Sequence, residues 1–158
     1  MTDPIADLYG NRLRVRACGI CIQAEKILLI NHKYLAENDF WAPPGGGILV
    51  GERAETCVVR EFMEETSLTI SVDKFLFGCE FINAPLHAVE LFFEVSILAG
   101  VPKKGLDPEM SQKNQIIQDL RFISEADIKT MKPNTFHGLF RLVTKPSEIL
   151  HLSGYFKL

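Results

Sequence analysis

Three glutamates fall on one face of a predicted helix. The segment Glu52–Thr66 contains no Gly or Pro and is rich in Glu, Arg, Ala and Met, so the sequence predicts a helix there. Glu61, Glu64 and Glu65 then stand at i, i+3 and i+4 and project from a single face. Like charges at this spacing destabilise a helix by roughly 0.2–0.5 kcal/mol per pair, whereas a divalent cation such as Mg²⁺ binds carboxylate oxygens. The spacing favours a metal site, with a solvated acidic helix face as the alternative.

The residues around these glutamates fit the same chemistry. Glu52, at the start of the helix, can add a fourth carboxylate. Arg60 is adjacent to Glu61 and can orient its carboxylate by donating hydrogen bonds. The three consecutive glycines Gly45, Gly46 and Gly47 precede the helix, and residues without a Cβ allow the backbone to approach a phosphate closely. The sequence therefore places phosphate-compatible backbone beside a candidate metal site.

The spacing of these residues resembles the Nudix box. The sequence reads Gly46-x5-Glu52-x7-Arg60-Glu61-Phe62-x-Glu64-Glu65-x-Ser67-Leu68, and eight of the nine positions that the family pattern defines agree. The resemblance implies an α/β fold, namely a Nudix-type α/β/α sandwich with a mixed β-sheet. No internal repeat or linker interrupts the chain, so we expect a single domain over residues 1–158.

The resemblance also implies roles for the site residues. It makes Glu61, Glu64 and Glu65 ligands of Mg²⁺ or Mn²⁺, with Glu52 as a further or water-mediated ligand and Arg60 orienting Glu61. It assigns the shape of the metal-facing loop to the backbone of Gly45–Gly47. The catalytic base stays open, because it is a box glutamate in some members and a later carboxylate in others. The candidates are Glu61, Glu64, Asp107 and Glu109.

The function implied is hydrolysis of a pyrophosphate bond in a nucleoside diphosphate linked to another moiety. Nucleotide sugars, ADP-ribose-like compounds and nucleoside triphosphates are all open as substrates. The alternative is a catalytically silent Nudix-fold sensor or regulator that binds a nucleotide. All the acidic positions of the box are present, which favours the enzyme. No Ser–His pair or reactive cysteine is needed, because phosphoryl transfer depends on charge neutralisation and positioning.

One box position departs from the pattern. Ser67 replaces the glycine that ends the helix in the family. Glycine at this place usually adopts the left-handed conformation, which costs a residue with a Cβ about 1 kcal/mol. We expect residue 67 to have positive φ and Ser67 to carry that steric cost.

Apolar runs and turn residues predict the elements around the box. A β-hairpin, two long strands and a long loop are expected first, then a strand, two helices and a final strand. The hairpin strands are Leu13–Gln23 and Lys26–His32, and the long strands are Leu68–Ile82 and His87–Leu98. The later elements are the loop Ala99–Gln115, the strand Leu120–Ile123, the helices Ser124–Met131 (capped by Ser124) and Phe136–Val143, and the strand Ile149–Phe156.

Substrate-contacting residues outside the box are less visible. Arg14 and Arg16 alternate with apolar residues and share one strand face, which favours a solvated face over a phosphate site. The aromatic residues Tyr34, Trp41 and Phe81, together with His87, could stack on a nucleobase, but single aromatics in strands are usually part of the core.

Composition excludes several other classes. The net charge of −3 leaves no basic excess, so no stable nucleic-acid partner is expected. No apolar run approaches the ~20 residues needed to span a bilayer, and the N-terminus has no signal-peptide core. We therefore expect a cytoplasmic protein whose partner is a small-molecule nucleotide substrate. A homodimer is compatible with the sequence. Cys18 and Cys21 form a lone C-x-x-C on opposite strand faces, which favours buried, reduced thiols over a metal site.

Overall fold

The computed structural model describes residues 4–34 and 38–158. The described residues form three α-helices, several 3₁₀ turns and nine strands. The helices are α1 (Pro4–Tyr9), α2 (Ala54–Thr66) and α3 (Glu125–Thr130), and the 3₁₀ turns are Gln112–Asn114, Pro133–Thr135, Gly138–Arg141 and Pro146–His151. The strands are β1 (Leu13–Ile20), β2 (Ile22–Gln23), β3 (Lys26–Tyr34), β4 (Asn38–Ala42), β5 (Gly45–Gly47), β6 (Thr69–Asn83), β7 (Leu86–Ala99), β8 (Ile117–Ile123) and β9 (Gly154–Lys157).

Two sheets form the centre of the fold. The first has the order β5-β1-β7-β6-β9 and is mixed, because β1 runs parallel to β7 and β6 parallel to β9 while the other pairs are antiparallel. In the second sheet β3 pairs antiparallel with β2, β4 and β8. One apolar cluster packs α2 against the strands, and the other packs α3 and the late 3₁₀ turns on the opposite side. This arrangement confirms the predicted mixed-sheet α/β sandwich.

Helix α2 buries a single stripe that contains both apolar and acidic residues. Cys57, Val58 and Phe62 are fully buried against the sheet. Glu61 and Glu65 lie on the same stripe and are buried as well. A helix that packs on a core normally presents apolar residues along this whole stripe. In α2, two positions that would normally be apolar are therefore occupied by buried carboxylates.

The predicted hairpin is confirmed only next to its turn, and the second late helix is wrong. Only Ile22 and Gln23 pair with β3, because β1 lies between β5 and β7 and both of its edges are occupied. The segment predicted as a helix over Phe136–Val143 contains only the 3₁₀ turn Gly138–Arg141. The backbone N–H of His137 donates to Trp41 on β4 (2.9 Å), which ties the chain to the sheet edge where a helix would begin.

Most of the other elements are confirmed with small changes of boundary. Helix α2 begins two residues later than predicted, β8 is longer, and the final strand shortens to Gly154–Lys157. Ser124 caps α3 as expected, since its hydroxyl accepts from the N–H of Asp127 (3.2 Å). All four cysteines are free and buried, and Cys18 and Cys21 fall in different apolar clusters.

The end of α2 fixes the position of the long loop that follows β7. The N–H groups of Lys103, Gly105 and Leu106 donate to helix carbonyls of Thr66, Glu65 and Glu64 at 2.9, 2.8 and 3.3 Å. These carbonyls have no partner inside the helix, so the loop satisfies them. A Cβ at Gly105 would lie 1.8 Å from the Glu64 carbonyl oxygen, and this close approach requires glycine. The residues after Gly105 are thereby held over the box helix.

Ser67 has the left-handed conformation that its place in the box predicted, with φ 60° and ψ 22°. We expect Ser67→Gly to raise the free energy of unfolding by about 0.5 kcal/mol, because relief of the left-handed penalty exceeds the entropy that glycine adds to the unfolded chain. Chemical denaturation measures the change. Ser67→Ala keeps the Cβ and should show no such gain. A clear loss of stability in Ser67→Gly would contradict the steric explanation.

Candidate active site

Arg60 lies at the centre of the box carboxylates. Its Nε and Nη2 donate to the two oxygens of Glu52 at 2.7 and 3.0 Å. Its Nη1 donates to Glu61 at 2.7 Å and to Glu64 at 3.3 Å, and Nη2 also reaches the Gly47 carbonyl at 3.2 Å. One guanidinium therefore fixes three glutamates relative to the glycine strand β5. The geometry brings these predicted residues together.

Glu61 and Glu65 are carboxylates held in an environment that opposes their charge. Their exposed fractions are 8% and 5%. Burial and the neighbouring Glu65 raise the pKa of Glu61 to about 7. Burial raises the pKa of Glu65 to about 8, although the Gly45 N–H donates to it at 2.9 Å. A divalent cation would reverse this penalty, and an all-oxygen donor set is the kind that Mg²⁺ or Mn²⁺ prefers. The residues fit such an ion.

The three glycines have different functions in the structure. A Cβ at Gly46 would lie 2.3 Å from Oε1 of Glu61, so this glycine makes room for the carboxylate. A Cβ at Gly45 would lie 2.3 Å from the Ala17 carbonyl oxygen, so this glycine allows β5 to pair closely with β1. At Gly47 the nearest atom is the end of the Arg14 side chain, at 3.3 Å. Only Gly46 is required directly by a candidate ligand.

A pocket extends from the carboxylates between the two sheets and the long loop. Glu61, Glu64 and Glu65 line it on one side, and Arg14 and Arg16 line it on another. The expectation that both arginines lie on a solvated face is wrong, because Arg14 lies over the Tyr9 ring of α1 (4.0 Å to the ring centroid) and Arg16 pairs with the buried Glu90. Phe81 and His87 also line the pocket, while Trp41 is buried and absent from its walls. The side chain of Tyr34 lies outside the described part.

Helix α1, which the sequence analysis missed, closes one side of the pocket. Tyr9 donates to Glu109 at 2.8 Å and lies 3.4 Å from Asp107. Ile5 and Tyr9 also pack with Met110 of the long loop. The apolar spacing of Ile5, Leu8 and Tyr9 at i, i+3 and i+4 would have predicted this helix. The helix and loop together place both late candidate bases at the pocket.

A second group of close donors lies deeper in the same region. Among the described residues, Cys79, Glu90 and His137 bring three donor atoms within 4.8 Å of one another. Glu90 pairs with the cationic Arg16 at 2.5 Å, and His137 Nδ1 accepts from the Leu139 N–H at 3.1 Å. The arginine charge opposes a metal ion at this place. We interpret the group as a hydrogen-bonded network.

Comparisons with known proteins agree with this fold and site. The family model described as NUDIX domain matches residues 12–142. The ADP-ribose pyrophosphatase of Methanocaldococcus jannaschii is 32% identical over 96 residues, which cover 60% of this chain and 57% of that protein. The chain thus spans little more than half the length of this relative. A family match over most of the chain is sufficient to place it: the chain belongs to the NUDIX family.

Solved structures show the same fold. A NUDIX hydrolase from Nitrosomonas europaea has a TM-score of 0.71 at 18% identity, covering 89% of each chain. An ADP-ribose pyrophosphatase from Streptococcus suis has a TM-score of 0.62 at 17% identity, covering 90% of this chain and 98% of that one. Within the described residues, no helix is long and apolar enough to cross a membrane.

The contact between Gly46 and Glu61 gives a direct test of the site. We expect Gly46→Ala to lower the affinity for Mn²⁺ by at least about tenfold, since the new methyl group displaces the Glu61 carboxylate. Isothermal titration calorimetry of Mn²⁺ into the folded protein measures this affinity. Gly47→Ala is the matched control and should change it by less than about threefold, because it meets only a flexible side chain. Equal affinities in the two variants would contradict the special place of Gly46.

Proposed function

We propose that the protein is a metal-dependent Nudix pyrophosphohydrolase that cleaves a nucleoside diphosphate linked to another moiety, with Mg²⁺ or Mn²⁺ as cofactor. The observation that carries this proposal is the burial of Glu61 and Glu65 beside Arg60 at one wall of a pocket. Buried like charges are costly unless a bound cation compensates them. The pocket beside them is lined by arginines, which suit an anionic substrate.

Glu61, Glu64 and Glu65 would hold the metal. When bound, the ion supplies charge neutralisation at the substrate phosphates and lowers the pKa of a coordinated water. Glu52 has a different arrangement, since Arg60 occupies both of its oxygens and the Leu49 N–H donates to Oε2 at 3.0 Å. We therefore place Glu52 as a carboxylate that holds Arg60 and reaches the ion through water. Arg60 in turn orients Glu61.

The walls of the pocket support a substrate with an anionic centre and a flat apolar end. Phe40 and Phe81 line the pocket, with ring centroids 6.0 Å apart, and Phe81 stacks on His137 at 5.7 Å. Partly exposed aromatic rings of this kind can stack on a nucleobase. ADP-ribose is the first substrate to test, because a partial relative is an ADP-ribose pyrophosphatase. Nucleotide sugars and nucleoside triphosphates remain in the same class.

Glu109 is our preferred candidate for the base among the late carboxylates. It lines the same pocket as the box glutamates, and Tyr9 donates to one of its oxygens while leaving the other available. Asp107 is more engaged within the loop, because its carboxylate accepts from the Glu109 N–H at 2.9 Å and its backbone is bound by Gln115. A base must reach a water near the scissile phosphate, and the loop places Glu109 at that pocket.

A substrate screen tests the proposal and its alternative. We expect ADP-ribose to be hydrolysed in the presence of Mg²⁺ or Mn²⁺, with phosphate appearing only after phosphatase is added, because the products are monophosphates. Pyrophosphate release would instead indicate nucleoside triphosphates. Glu64→Gln should lower kcat by about 10² or more while keeping the fold, and Glu55→Gln, on an exposed part of the same helix, should not. Nucleotide binding without turnover of any substrate would establish the sensor alternative.

The base assignment has its own test. We expect Glu109→Gln to lower kcat by about 10² and to leave Mn²⁺ affinity nearly unchanged, because the residue would move a proton without holding the ion. Tyr9→Phe removes only the hydroxyl that positions Glu109 and should have a smaller effect in the same direction. Steady-state kinetics and metal titration measure both. Unchanged kinetics in Glu109→Gln would return the assignment to Glu61 or Glu64.

A further inference from the structure

The face of the first sheet changes from pocket to core within a few residues. Side chains on one face of neighbouring strands form rows, because successive residues alternate sides. Three successive rows run across β1, β7 and β6: Arg14, Ala88 and Phe81 at the pocket, then Arg16, Glu90 and Cys79, then Cys18, Phe92 and Phe77 in the core. The middle row is therefore a charged layer between the pocket and the apolar interior.

Glu90 is the most deeply buried charge in this row. It is 1% exposed, and it is far from the metal-facing part of α2 in sequence. Oε1 accepts from Arg16 Nη1 at 2.5 Å, and Oε2 accepts from His137 Nε2 and from the Cys79 thiol at 3.6 Å. Burial alone would raise the pKa of Glu90, but His137 and Arg16 outweigh burial and hold it at about 2. Glu90 is consequently an ionised carboxylate with both oxygens engaged.

His137 acts on Glu90 as a fixed hydrogen-bond donor. Its Nδ1 accepts from the Leu139 N–H at 3.1 Å, so the ring proton is on Nε2 and is donated to Glu90. The 3₁₀ turn after His137 supplies that backbone donor, and the ring packs on Phe81 and Phe92. The imidazole therefore has one tautomer and one orientation. It fixes the carboxylate that in turn binds Arg16.

Arg16 links this network to the pocket. Its Nη2 donates to the carbonyl of Gly45 at 2.9 Å, and the N–H of the same glycine donates to Glu65. Its Nε is buried and has no hydrogen-bond partner among the described residues, whereas the side chain as a whole keeps 20% exposure at the pocket wall. A guanidinium has five N–H donors, and two bonds leave donors available for a second anion. Buried ion pairs are often replaceable by apolar residues without loss of stability, so the presence of this pair at a pocket wall points to a role beyond stability.

We propose that Glu90, oriented by His137, positions Arg16 to bind a phosphate oxygen of the substrate. This inference rests on the proposed function, since it assigns a further residue to the same anionic substrate. Arg16 is the substrate-contacting group, and Glu90 and His137 are positioning residues. The guanidinium is fixed on two sides, by a carboxylate and a backbone carbonyl, so little conformational freedom is lost when the phosphate binds. Arg16 would contact the phosphate both in the bound substrate and during bond cleavage. Replacing Arg16 should therefore raise KM more than it lowers kcat.

Two single variants and a control test this positioning. Arg16→Lys keeps the charge but loses the planar fork, and Glu90→Gln removes the carboxylate charge with little change of shape. We expect each to raise KM for ADP-ribose by about tenfold or more, with kcat within about threefold and Mn²⁺ affinity unchanged. Glu94→Gln, on the same strand and paired with the exposed Lys74, should leave KM at the wild-type value.

The double variant Arg16→Met/Glu90→Gln separates substrate binding from structural support. Removing both charges together relieves the unpaired buried charge left in Glu90→Gln, so thermal stability should return toward wild type. KM should stay raised, because the guanidinium is absent. Recovery of KM together with stability would overturn the inference, as would an unchanged KM in Arg16→Lys.

A binding measurement keeps the inference distinct from the proposed function. Imidodiphosphate, a non-hydrolysable mimic of pyrophosphate, can be titrated calorimetrically with Mn²⁺ into the wild-type protein and into Arg16→Lys. We expect the dissociation constant to rise about tenfold in the variant. If the wild-type protein hydrolysed no nucleotide, the proposed function would fail while this measurement still decided the role of Arg16. Equal affinities in both proteins would refute the phosphate contact.

Discussion

The burial of two carboxylates on the core-facing stripe of α2 is the constraint on which the site depends. Glu61 and Glu65 occupy positions where packing favours apolar residues, and their raised pKa values report the cost. The surroundings offset this cost in separate ways: Arg60 donates to one carboxylate, the Gly45 N–H donates to the other, and Gly46 leaves room for the first. Strand β5 supplies the Gly45 N–H and the space at Gly46, because its register with β1 holds it against the helix. Metal binding would complete a compensation that the protein alone leaves partial.

The hydrogen bonds at the C-terminal end of the same helix both satisfy its last carbonyls and position the loop after β7. The last carbonyls of α2 need donors, and the loop after β7 supplies them through its backbone. Because that loop is bound at the helix end, its next residues line the same pocket as the box glutamates, and Tyr9 holds Glu109 there. Ser67 tolerates a left-handed conformation so that the chain can turn into β6 at this point. The stability of the helix terminus and the placement of a candidate base are thus linked physically.

Local signals in the sequence were sufficient for the box and the elements next to it. Helix propensity predicted α2, and the fixed spacing of its glutamates predicted that they share a face. The pairing of Arg16 with Glu90 could not be predicted, because the residues are 74 positions apart and meet only through the parallel pairing of β1 with β7. The same long-range pairing explains why the predicted hairpin is limited to Ile22–Gln23, since β1 belongs to a different sheet from β3. The error over Phe136–Val143 arose likewise, because a tertiary hydrogen bond to β4 overrode local helix propensity.

The row of Arg16, Glu90 and Cys79 separates the pocket from the apolar core, and it contains a charged pair. A pocket that binds an anion needs a cation at its wall, yet the next row of the sheet is closed apolar core. A charged arginine at that boundary is costly to bury unless a neighbouring group balances its charge without reaching the substrate itself. Glu90 meets this requirement, since it is buried behind Arg16 and accepts a hydrogen bond from His137, which precedes the 3₁₀ turn Gly138–Arg141. The balance also prevents the carboxylate from competing for the metal, because both of its oxygens are already bound. The two acidic groups are separated, one open to the pocket and one closed behind an arginine, and this separation would allow the proposed metal site and the proposed anion-binding wall to lie side by side.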